Sequence, residues 1–421
     1  MSDARVVIMA LVGFGALAPR AAAAACEVGA YRGPAGDFVA IVEGQDTATS
    51  GEHRYVFRDG RRGGTRDGTI ECVAGAVVLA SSGARWPKLA LRLTPTAFDS
   101  GGVVLTGMLI EPPAAAGKPP LLVVGHGSER TGAVRRSYYP YVFAAQGIAA
   151  FVYDKRGTGD SGGAYTQSFA RLAEDMVAAS VEARRLAHGR HGRFGLFGGS
   201  QGGWVAPRAA NAAGAQFVVV GFGLVLDPLE EDAEQVKTEL RAFGYGPDVL
   251  ARAREVTDAT AVVMASHFAA GYDRLAAIRA RHGAEPWFSQ IKGEFTGEVL
   301  ASDEATLRRD GRARLDNLDI DWHYDAVGEL RKVRAPVLWI IAGKDREAPP
   351  ALTIERLKAL QRARRPIELV MFPDTDHGIL EFVEAADGTR TVTRYADGYF
   401  RMLADWVNQA RRPPYGRAVP P

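Results

Sequence analysis

The sequence predicts an α/β protein built on a doubly wound, mostly parallel sheet, with a helical insertion and a small N-terminal β-rich domain. Two observations carry this prediction. Short runs that are apolar throughout, such as "LLVVG" and "APVLWIIAG", suit strands that are covered on both faces. Helical stretches such as "SFARLAEDMVAASVEARRLAHG" separate these runs, and strands that alternate with helices are typical of a doubly wound sheet.

Length and charge limit the classes of protein that the chain can represent. The 421 residues suffice for one large domain with an appendage, or for two to three domains. The net charge is only +2 at pH 7, which gives no reason to expect a nucleic acid or another polyanion as a partner.

The N-terminus has the features of a secretory signal peptide. Arg5 precedes the apolar run "VVIMALVGFGALA", and the small residues of "PRAAAAAC" follow. We therefore expect residues 1–25 to be removed near Ala25 and the protein to be periplasmic or secreted. The apolar run is too short to cross a bilayer, so we expect no integral membrane span after signal removal.

The two cysteines fit an exported protein. Cys26 and Cys72 are the cysteines of the chain, and an oxidising compartment would allow them to pair. The alternative is a lipid anchor on Cys26, for which Ala23 stands where a leucine would be expected. We favour the disulfide.

The patterning divides the mature chain into three parts. Residues 26–100 contain short β segments broken by glycine, which indicates a β-rich accessory domain. Residues 101–227 and 334–412 carry the alternating strands and helices of the predicted catalytic domain. Residues 228–333 lack clear strands, and an insertion of this length is usually functional. We interpret it as a helical cap over the carboxyl edge of the sheet.

The stretch "GLFGGSQGG" predicts the nucleophile. It lies between an apolar strand and an alanine-rich helix, and residues 198–202 match G-x-S-x-G. In that pattern a sharp strand-to-helix turn lifts the serine above the sheet edge, and the glycines two before and two after it make room. We predict that Ser200 is a catalytic nucleophile.

A base and an orienting acid follow at the same edge of the sheet. His377, in "DTDHG", comes after the last predicted strand, and Asp345, in "GKDREAPP", comes one strand earlier. The chain order Ser200, Asp345, His377 is the order expected for this strand–turn–helix arrangement. Asp227, just after "GFGLVL", is the alternative acid.

Two backbone N–H groups are expected to stabilise a developing oxyanion. One is that of Gln201, the residue after the nucleophile, and the other comes from the loop after "LLVV". Ser128 is the first choice in that loop and Gly127 the next, whereas His126 is expected to have a structural role.

Together these motifs resemble the α/β-hydrolase superfamily over residues 103–411. The resemblance rests on "GHGS", "YDKRGTGDSGG", "GGSQGG" and "GKDREAPP" with "DTDHG". It implies the α/β-hydrolase fold, and it implies that the D-x-R-G-x-G-x-S turn braces the loops around the active site. The residues of that turn are Asp154, Arg156, Gly157, Gly159 and Ser161.

The predicted function is that of an exported serine hydrolase that cleaves carboxylic esters through an acyl-enzyme. Exported relatives with large helical caps are often esterases, so a small acyl ester is the first substrate class and a short peptide the second. The triad also suits a thioesterase or acyltransferase, and a remote alternative is a binding protein on a hydrolase scaffold. We expect no cofactor and no metal, because the sequence shows no phosphate loop and no metal-ligand cluster.

The peptidase alternative depends on acidic residues in "LEEDAEQ", which could receive the free amine of a peptide. A solvent-facing helix start explains the same residues more simply. Aromatic residues of the insertion could line an acyl pocket or pack the cap on the sheet. The acidic residues are Glu230, Glu231, Asp232 and Glu234, and the aromatic residues are Trp287, Phe288, Phe295, Trp322 and Tyr324.

Overall fold

The computed structural model describes residues 26–44, 52–113, 117–316 and 319–421. The predicted signal peptide therefore lies outside the described residues. Across the described ranges, no helix combines the length and the apolar character needed to cross a membrane.

The strands, in chain order, are β1 (Gly29–Arg32), β2 (Phe38–Glu43), β3 (His53–Phe57), β4 (Arg62–Gly64), β5 (Ile70–Val73), β6 (Ala76–Leu79), β7 (Arg85–Pro87), β8 (Arg92–Ser100), β9 (Val103–Glu111), β10 (Leu121–Gly125), β11 (Ala149–Tyr153), β12 (Phe194–Gly199), β13 (Phe217–Gly221), β14 (Val337–Ala342), β15 (Ile367–Phe372), β16 (Thr375–Asp376), β17 (Leu380–Glu384) and β18 (Arg390–Tyr395). The helices are α1 (Tyr139–Ala145), α2 (Phe169–Leu186), α3 (Gly202–Ala210), α4 (Pro228–Ala242), α5 (Pro247–Ala265), α6 (Tyr272–His282), α7 (Thr296–Ala301), α8 (Glu304–Thr306), α9 (Ala326–Lys332), α10 (Pro350–Arg362) and α11 (Tyr399–Val407). Short 3₁₀ turns cover Pro34–Gly36 and Phe288–Gln290, and a π-helix covers Leu307–Asp316.

Within the described residues, eight strands form the central sheet, in the order β15–β14–β13–β12–β10–β11–β9–β8. Strands β10 to β15 are parallel to their neighbours, whereas β9 runs antiparallel to β11 and β8 antiparallel to β9. Every residue of β10 to β14 is buried. This confirms the fold class and explains why these strands are apolar on both faces.

Helices cover both faces of the sheet. One buried cluster packs residues of α2, α3 and α10 on one face, and a second packs residues of α1 and α11 on the other. The chain leaves β10 toward β11 and leaves β12 toward β13, so the strand order reverses between β10 and β12. Ligands of open α/β sheets bind at such a switch point, beyond the carboxyl ends of the strands.

The described residues between β13 and β14 form helices joined by turns and loops, with no strand among them. Helices α4 to α9 lie in this interval, and part of it has its own buried clusters, separate from those of the sheet. Helix α4 begins with a capping box, in which the Asp227 side chain accepts from the Glu230 backbone N–H and the Glu230 side chain accepts from the Asp227 N–H.

The N-terminal part forms two small antiparallel sheets, β1 to β4 and β5 to β7. Cys26 and Cys72 form a disulfide with their Cα atoms 5.1 Å apart, which confirms the predicted pairing. The predicted boundary between the accessory domain and the catalytic domain, at residue 100, assigns one strand differently from the structure. Strand β8 pairs with β9 along all nine of its residues, so it extends the central sheet instead of the accessory domain.

A three-stranded sheet that the sequence analysis does not predict follows the last parallel strand. It contains β16, β17 and β18, and β17 and β18 form a half-exposed hairpin whose turn includes Gly388 at φ 82°. The Tyr395 N–H at the end of β18 donates to Gly60 O. This hairpin therefore joins the segment after His377 to the N-terminal sheet.

Candidate active site

Ser200 lies at a sharp turn between the end of β12 and the start of α3. Its backbone has φ 52°, a left-handed conformation that non-glycine residues adopt rarely and that is often found at functional sites. The turn is fixed by two backbone hydrogen bonds: Ser200 N–H donates to Gly221 O at 3.0 Å, and Gly203 N–H donates to Ser200 O at 2.7 Å.

The glycines around Ser200 have different roles. A Cβ atom on Gly198 would lie 2.3 Å from Gly202 O, and one on Gly203 would lie 2.9 Å from the Cα of Gly223. A Cβ on Gly202 would have Gly125 O and His126 O as its nearest neighbours outside the helix, both at 3.9 Å. The expectation that the glycines two before and two after the serine make room is therefore met at Gly198, and the second close approach is at Gly203.

His377 connects Ser200 to Asp345. His377 Nε2 lies 3.1 Å from Ser200 Oγ, and Nδ1 lies 2.9 Å from Asp345 Oδ2. The three residues follow the carboxyl ends of β12, β14 and β15. The structure thus brings the predicted nucleophile, base and acid together in one hydrogen-bonded chain.

Asp345 is held in place and Asp227 is used elsewhere. Asp345 is only 3% exposed, and its Oδ1 accepts from the N–H groups of Glu347 at 3.0 Å and Ala348 at 2.7 Å. These bonds leave Oδ2 for His377. Asp227 instead caps α4, accepting from Glu230 N–H at 2.8 Å.

The loop that carries His377 is ordered by Asp376. The Asp376 carboxylate accepts from the backbone N–H groups of His377 at 2.9 Å and Arg346 at 3.1 Å. It also accepts from the Arg390 guanidinium at 2.7 Å. The Phe222 ring meets the imidazole edge-on at 5.0 Å, so the ring of His377 contacts Phe222 as well as Asp345.

Carboxylates near His377 favour its charged form. Burial alone would lower the pKa of His377, but the Asp345 carboxylate, with smaller contributions from Glu347 and Glu231, raises it to about 9. Glu347 contributes because its Oε1 lies 3.5 Å from Nε2.

The two predicted oxyanion donors lie beside Ser200. Ser128 and Gln201 line a common small cavity with Ser200, and a Cβ on Gly127 would lie 3.3 Å from the Cβ of Ser200. Gln201 is buried and directly precedes α3. The loop after β10 therefore passes against the nucleophile, as the sequence predicts.

Lys155, which the sequence analysis does not single out, fixes this loop. Its side chain is buried, and Nζ donates to Gly127 O at 2.5 Å and to Gln201 Oε1 at 3.3 Å. The Tyr165 hydroxyl donates to Ser128 O. Because C=O and N–H point in opposite directions across a trans peptide, a fixed Gly127 carbonyl also fixes the direction of the Ser128 N–H.

The D-x-R-G-x-G-x-S turn makes structural contacts. Asp154 accepts from the N–H groups of Val134 and Asp160, and Arg156 forms a buried ion pair with Asp175 at 2.5 Å. The Ser161 hydroxyl donates to Asp154 O at 2.7 Å. Lys155 lies inside this turn, so the turn also positions the contact to Gly127.

Two cavities open at Ser200. The larger, of about 390 Å³, is lined by Ser200, His377 and the loop after β10, and also by Arg54 and Arg62 of the N-terminal sheet. The smaller is lined by Ser200, residues of the helical segment and three glutamates. The three glutamates are Glu231, Glu294 and Glu347.

One of the four predicted acidic residues lines a cavity. Glu231 borders the smaller cavity, whereas Glu230 pairs with Arg356, Asp232 accepts from Thr296 and Glu234 pairs with Lys237. Of the aromatic residues proposed for an acyl pocket, Phe295 lines the smaller cavity. The others pack inside the protein, as when Tyr324 OH donates to Trp204 O at 3.0 Å.

Burial and mutual repulsion raise the pKa values of the cavity glutamates. Burial, followed by the charges of Glu294 and Glu347, raises the pKa of Glu231 well above its usual range. Burial and the charge of Glu347 raise the pKa of Glu294 to about 6. No group of three His, Cys, Asp or Glu residues in the described part of the chain is arranged to hold a metal ion.

Comparison with known proteins defines the class. A model of the alpha/beta hydrolase family matches residues 121–391, so the chain belongs to this family. The matched range contains Ser200, Asp345 and His377. No curated protein sequence matches the chain.

Solved structures similar to this chain include an acylaminoacyl peptidase, an esterase and a protein named Est1E. The acylaminoacyl peptidase of Pyrococcus horikoshii is 14% identical with a TM-score of 0.42, and the match covers 80% of this chain but only 45% of that one. The esterase Pf2001 of Pyrococcus furiosus is 13% identical (TM-score 0.42; 68% and 83% covered). Est1E of Butyrivibrio proteoclasticus, solved with ferulic acid, is 15% identical (TM-score 0.40; 75% and 96% covered).

Proposed function

We propose that the protein is an exported serine hydrolase that cleaves carboxylic esters through an acyl-enzyme. The observation that carries the proposal is the hydrogen-bonded chain from Ser200 Oγ through His377 to Asp345, with spacings of 3.1 and 2.9 Å. A nucleophile, a base within reach of it and an acid that orients the base are the parts that such a reaction requires.

Each step uses groups that are already in contact. Ser200 Oγ attacks the acyl carbonyl while His377 Nε2 takes its proton, and Asp345 stabilises the imidazolium through Nδ1. The backbone N–H groups of Gln201 and Ser128 stabilise the oxyanion. His377 then protonates the leaving alcohol, and water, activated by the same imidazole, hydrolyses the acyl-enzyme.

Hydrolysis of p-nitrophenyl acyl esters of graded chain length tests this proposal. We expect turnover by the purified protein and a loss of at least about 10⁴-fold in kcat for Ser200→Ala. Ser81→Ala is the matched control, because Ser81 is exposed in the N-terminal part and lines neither cavity at Ser200. Full activity of Ser200→Ala would remove the assignment of the nucleophile.

A peptidase acting near a peptide terminus is the second candidate, and the glutamates of the smaller cavity favour it. Glu231 and Glu294 form no ion pair with a basic side chain in the described ranges, although they lie beside Ser200. A free amine of a peptide would neutralise this site. Aminoacyl-p-nitroanilides assayed beside the esters distinguish the two candidates. Faster turnover of the anilides than of the esters would make the peptidase the preferred function.

The remaining candidate functions can be distinguished by the substrates that are cleaved and by the products that form. A thioesterase prefers acyl thioesters to oxygen esters, and an acyltransferase gives transfer products when an alcohol is added. A binding protein on a hydrolase scaffold turns over none of these substrates.

Export is a separate part of the proposal. It is supported by the sequence of residues 1–25 and by the Cys26–Cys72 disulfide. N-terminal sequencing of the mature protein is expected to show processing near Ala25. A mature chain that retains residues 1–25 would contradict export by this route.

A further inference from the structure

The larger cavity at Ser200 has a basic wall that comes largely from the N-terminal sheet. Arg54 lies on β3 and Arg62 on β4, yet both line the cavity that contains Ser200 and His377. Arg136, in the loop between β10 and α1, lines the same cavity. Three guanidinium groups from two separate segments thus meet beside the nucleophile.

These arginines have no carboxylate partners among the residues that the structure describes. Arg54 donates from Nη2 to Arg136 O at 3.0 Å, and Arg136 donates from Nε to Gly44 O at 3.1 Å. The Arg62 guanidinium lies 5.5 Å from the centre of the Tyr395 ring. These partners are backbone carbonyls and an aromatic face, so no carboxylate among the described residues offsets the three positive charges.

Of the three, Arg54 is the arginine whose charge and hydrogen-bonding groups are satisfied least. Its Nε is buried without a hydrogen-bond partner in the described structure. Burial lowers the pKa of Arg54, and the like charges of Arg62 and Arg136 act in the same direction. Buried donors are almost always paired, so Arg54 brings to the cavity wall a guanidinium whose hydrogen-bonding capacity is incompletely used within the described structure.

The acidic residues of the same cavity are engaged by other groups. Glu129 lies 3.4 Å from His126. Burial alone would raise the pKa of Glu129, but the interaction with His126, with a smaller effect from Lys155, lowers it to about 2. Glu347 lies beside His377. Neither forms an ion pair with the arginine wall.

We propose that Arg54, Arg62 and Arg136 form a subsite for a carboxylate carried by the substrate. Guanidinium groups bind carboxylates with paired, charge-assisted hydrogen bonds. The preferred substrates are then esters with an anionic group on the acyl or the alcohol side, and the N-terminal sheet contributes to specificity. This inference rests on the proposed ester hydrolysis.

Two matched pairs of esters test the subsite on either side of the scissile bond. The mono-p-nitrophenyl ester of glutarate is compared with p-nitrophenyl pentanoate, and 4-butyryloxybenzoate with 4-butyryloxybenzamide. We expect kcat/KM to favour the anionic member of at least one pair. The ratio should fall about tenfold in Arg62→Met, because hydrogen bonds to charged groups are among the stronger ones, and it should also fall as ionic strength rises.

Arg66→Met is the matched control, because Arg66 is exposed on the same N-terminal part and does not line the cavity. Its ratio should equal that of the wild type. Arg54→Met is a second variant with the same expected direction, and Arg62→Met remains informative if loss of the Arg54 contact to Arg136 O unfolds the protein. A ratio that no arginine substitution changes would overturn the subsite.

A binding measurement keeps the subsite testable apart from turnover. Calorimetric titration of the Ser200→Ala variant with glutarate should show binding. A second substitution, Arg62→Met, should weaken this binding, whereas Arg66→Met should not. If neither the neutral nor the anionic esters are hydrolysed while glutarate still binds through Arg62, the proposed function alone is refuted. Neutral esters that are hydrolysed, with no glutarate binding and no anionic preference, would refute the subsite alone.

Discussion

The acid of the catalytic chain can be distinguished from its alternative by single substitutions. Asp345→Asn keeps the size of the side chain but removes the charge that stabilises the imidazolium and selects the tautomer of His377, so we expect kcat to fall roughly 10³–10⁴-fold. Asp227→Asn should retain activity within about threefold, because asparagine also caps helices well. Steady-state kinetics on one p-nitrophenyl ester measures both, with thermal unfolding as the check on folding. Equal losses in the two variants would contradict the role of Asp345.

Lys155 shows how one buried charge can hold the loop whose Ser128 N–H is proposed to stabilise the oxyanion. It is 3% exposed and holds Gly127 O at 2.5 Å, and burial lowers its pKa to about 8. Burial of an ammonium group that lacks hydrogen-bond acceptors would destabilise the folded protein. Here the Gly127 carbonyl and the Gln201 side-chain amide oxygen accept hydrogen bonds from Lys155 Nζ.

Replacement of Lys155 should therefore affect kcat more than KM. In Lys155→Met the Gly127 carbonyl loses its donor and the Ser128 N–H is no longer held toward the oxyanion, and a misplacement of about 1 Å can cost on the order of 10²-fold in rate. We expect Lys155→Arg to recover part of kcat. Full kcat in Lys155→Met, with the fold intact by circular dichroism, would show that the loop is held by Tyr165 and its own packing.

At the scale of the element, the turn between β12 and α3 requires glycine at particular places. A Cβ on Gly198 meets Gly202 O at 2.3 Å, a backbone atom that cannot move without shifting the start of α3, whereas the space around Gly202 is open to 3.9 Å. The two glycines of the motif are thus not equivalent.

The substitutions Gly198→Ala and Gly202→Ala form a matched pair. We expect Gly198→Ala to reduce the free energy of unfolding by about 1–3 kcal/mol, as overpacked sites do, and to lower kcat by displacing Ser200. Gly202→Ala should cost less stability, because alanine suits a helix start better than glycine. Urea denaturation of both variants gives the comparison, and a larger loss in Gly202→Ala would contradict this account of the turn.

The elements that the sequence predicts well are those whose pattern is local. Apolar runs mark the strands, and longer amphipathic stretches mark helices α2 and α10. Because a parallel sheet brings the carboxyl ends of its strands to one edge, the sequence also predicts that Ser200, Asp345 and His377 lie together. The sequence does not predict the hairpin of β17 and β18 or the pairing of β8 with β9, because tertiary contacts select the partners of these strands.

At the scale of the whole molecule, the cavity around Ser200 is assembled from segments far apart in the chain. Arg54 and Arg62 come from the N-terminal sheet and line the larger cavity, whereas Glu231, at the start of α4, lines the smaller one. Lys155, in the turn after β11, holds the loop at Gly127. Glu231 lies in the acidic stretch that the sequence analysis singles out, but no local pattern places Arg54, Arg62 or Lys155 near Ser200. The sequence therefore predicts the hydrogen-bonded chain and not the basic groups around it. The larger cavity at Ser200 therefore has three arginines in its wall, and the smaller cavity has three glutamates.

The carboxylates near His377 should determine the pH dependence of the reaction. His377 acts as a base only when neutral, and its pKa, raised to about 9 by Asp345, Glu347 and Glu231 against the opposing effect of burial, keeps it protonated below that pH. We therefore expect kcat/KM to rise with pH above the range of an ordinary histidine, near 6.5.

Removal of one negative charge beside His377 should shift this rise to lower pH. Glu347→Gln takes away the carboxylate 3.5 Å from Nε2, so the protonated imidazole loses stabilisation and the pKa of His377 falls. Glu355→Gln, an exposed change on α10 away from both cavities, is the control and should leave the profile in place. The measurement is kcat/KM for a neutral p-nitrophenyl ester across pH 6 to about 10, corrected for spontaneous hydrolysis. A profile that Glu347→Gln leaves unchanged, or moves to higher pH, would show that Glu347 does not act on the base, and the raised pKa would then rest on Asp345 and Glu231.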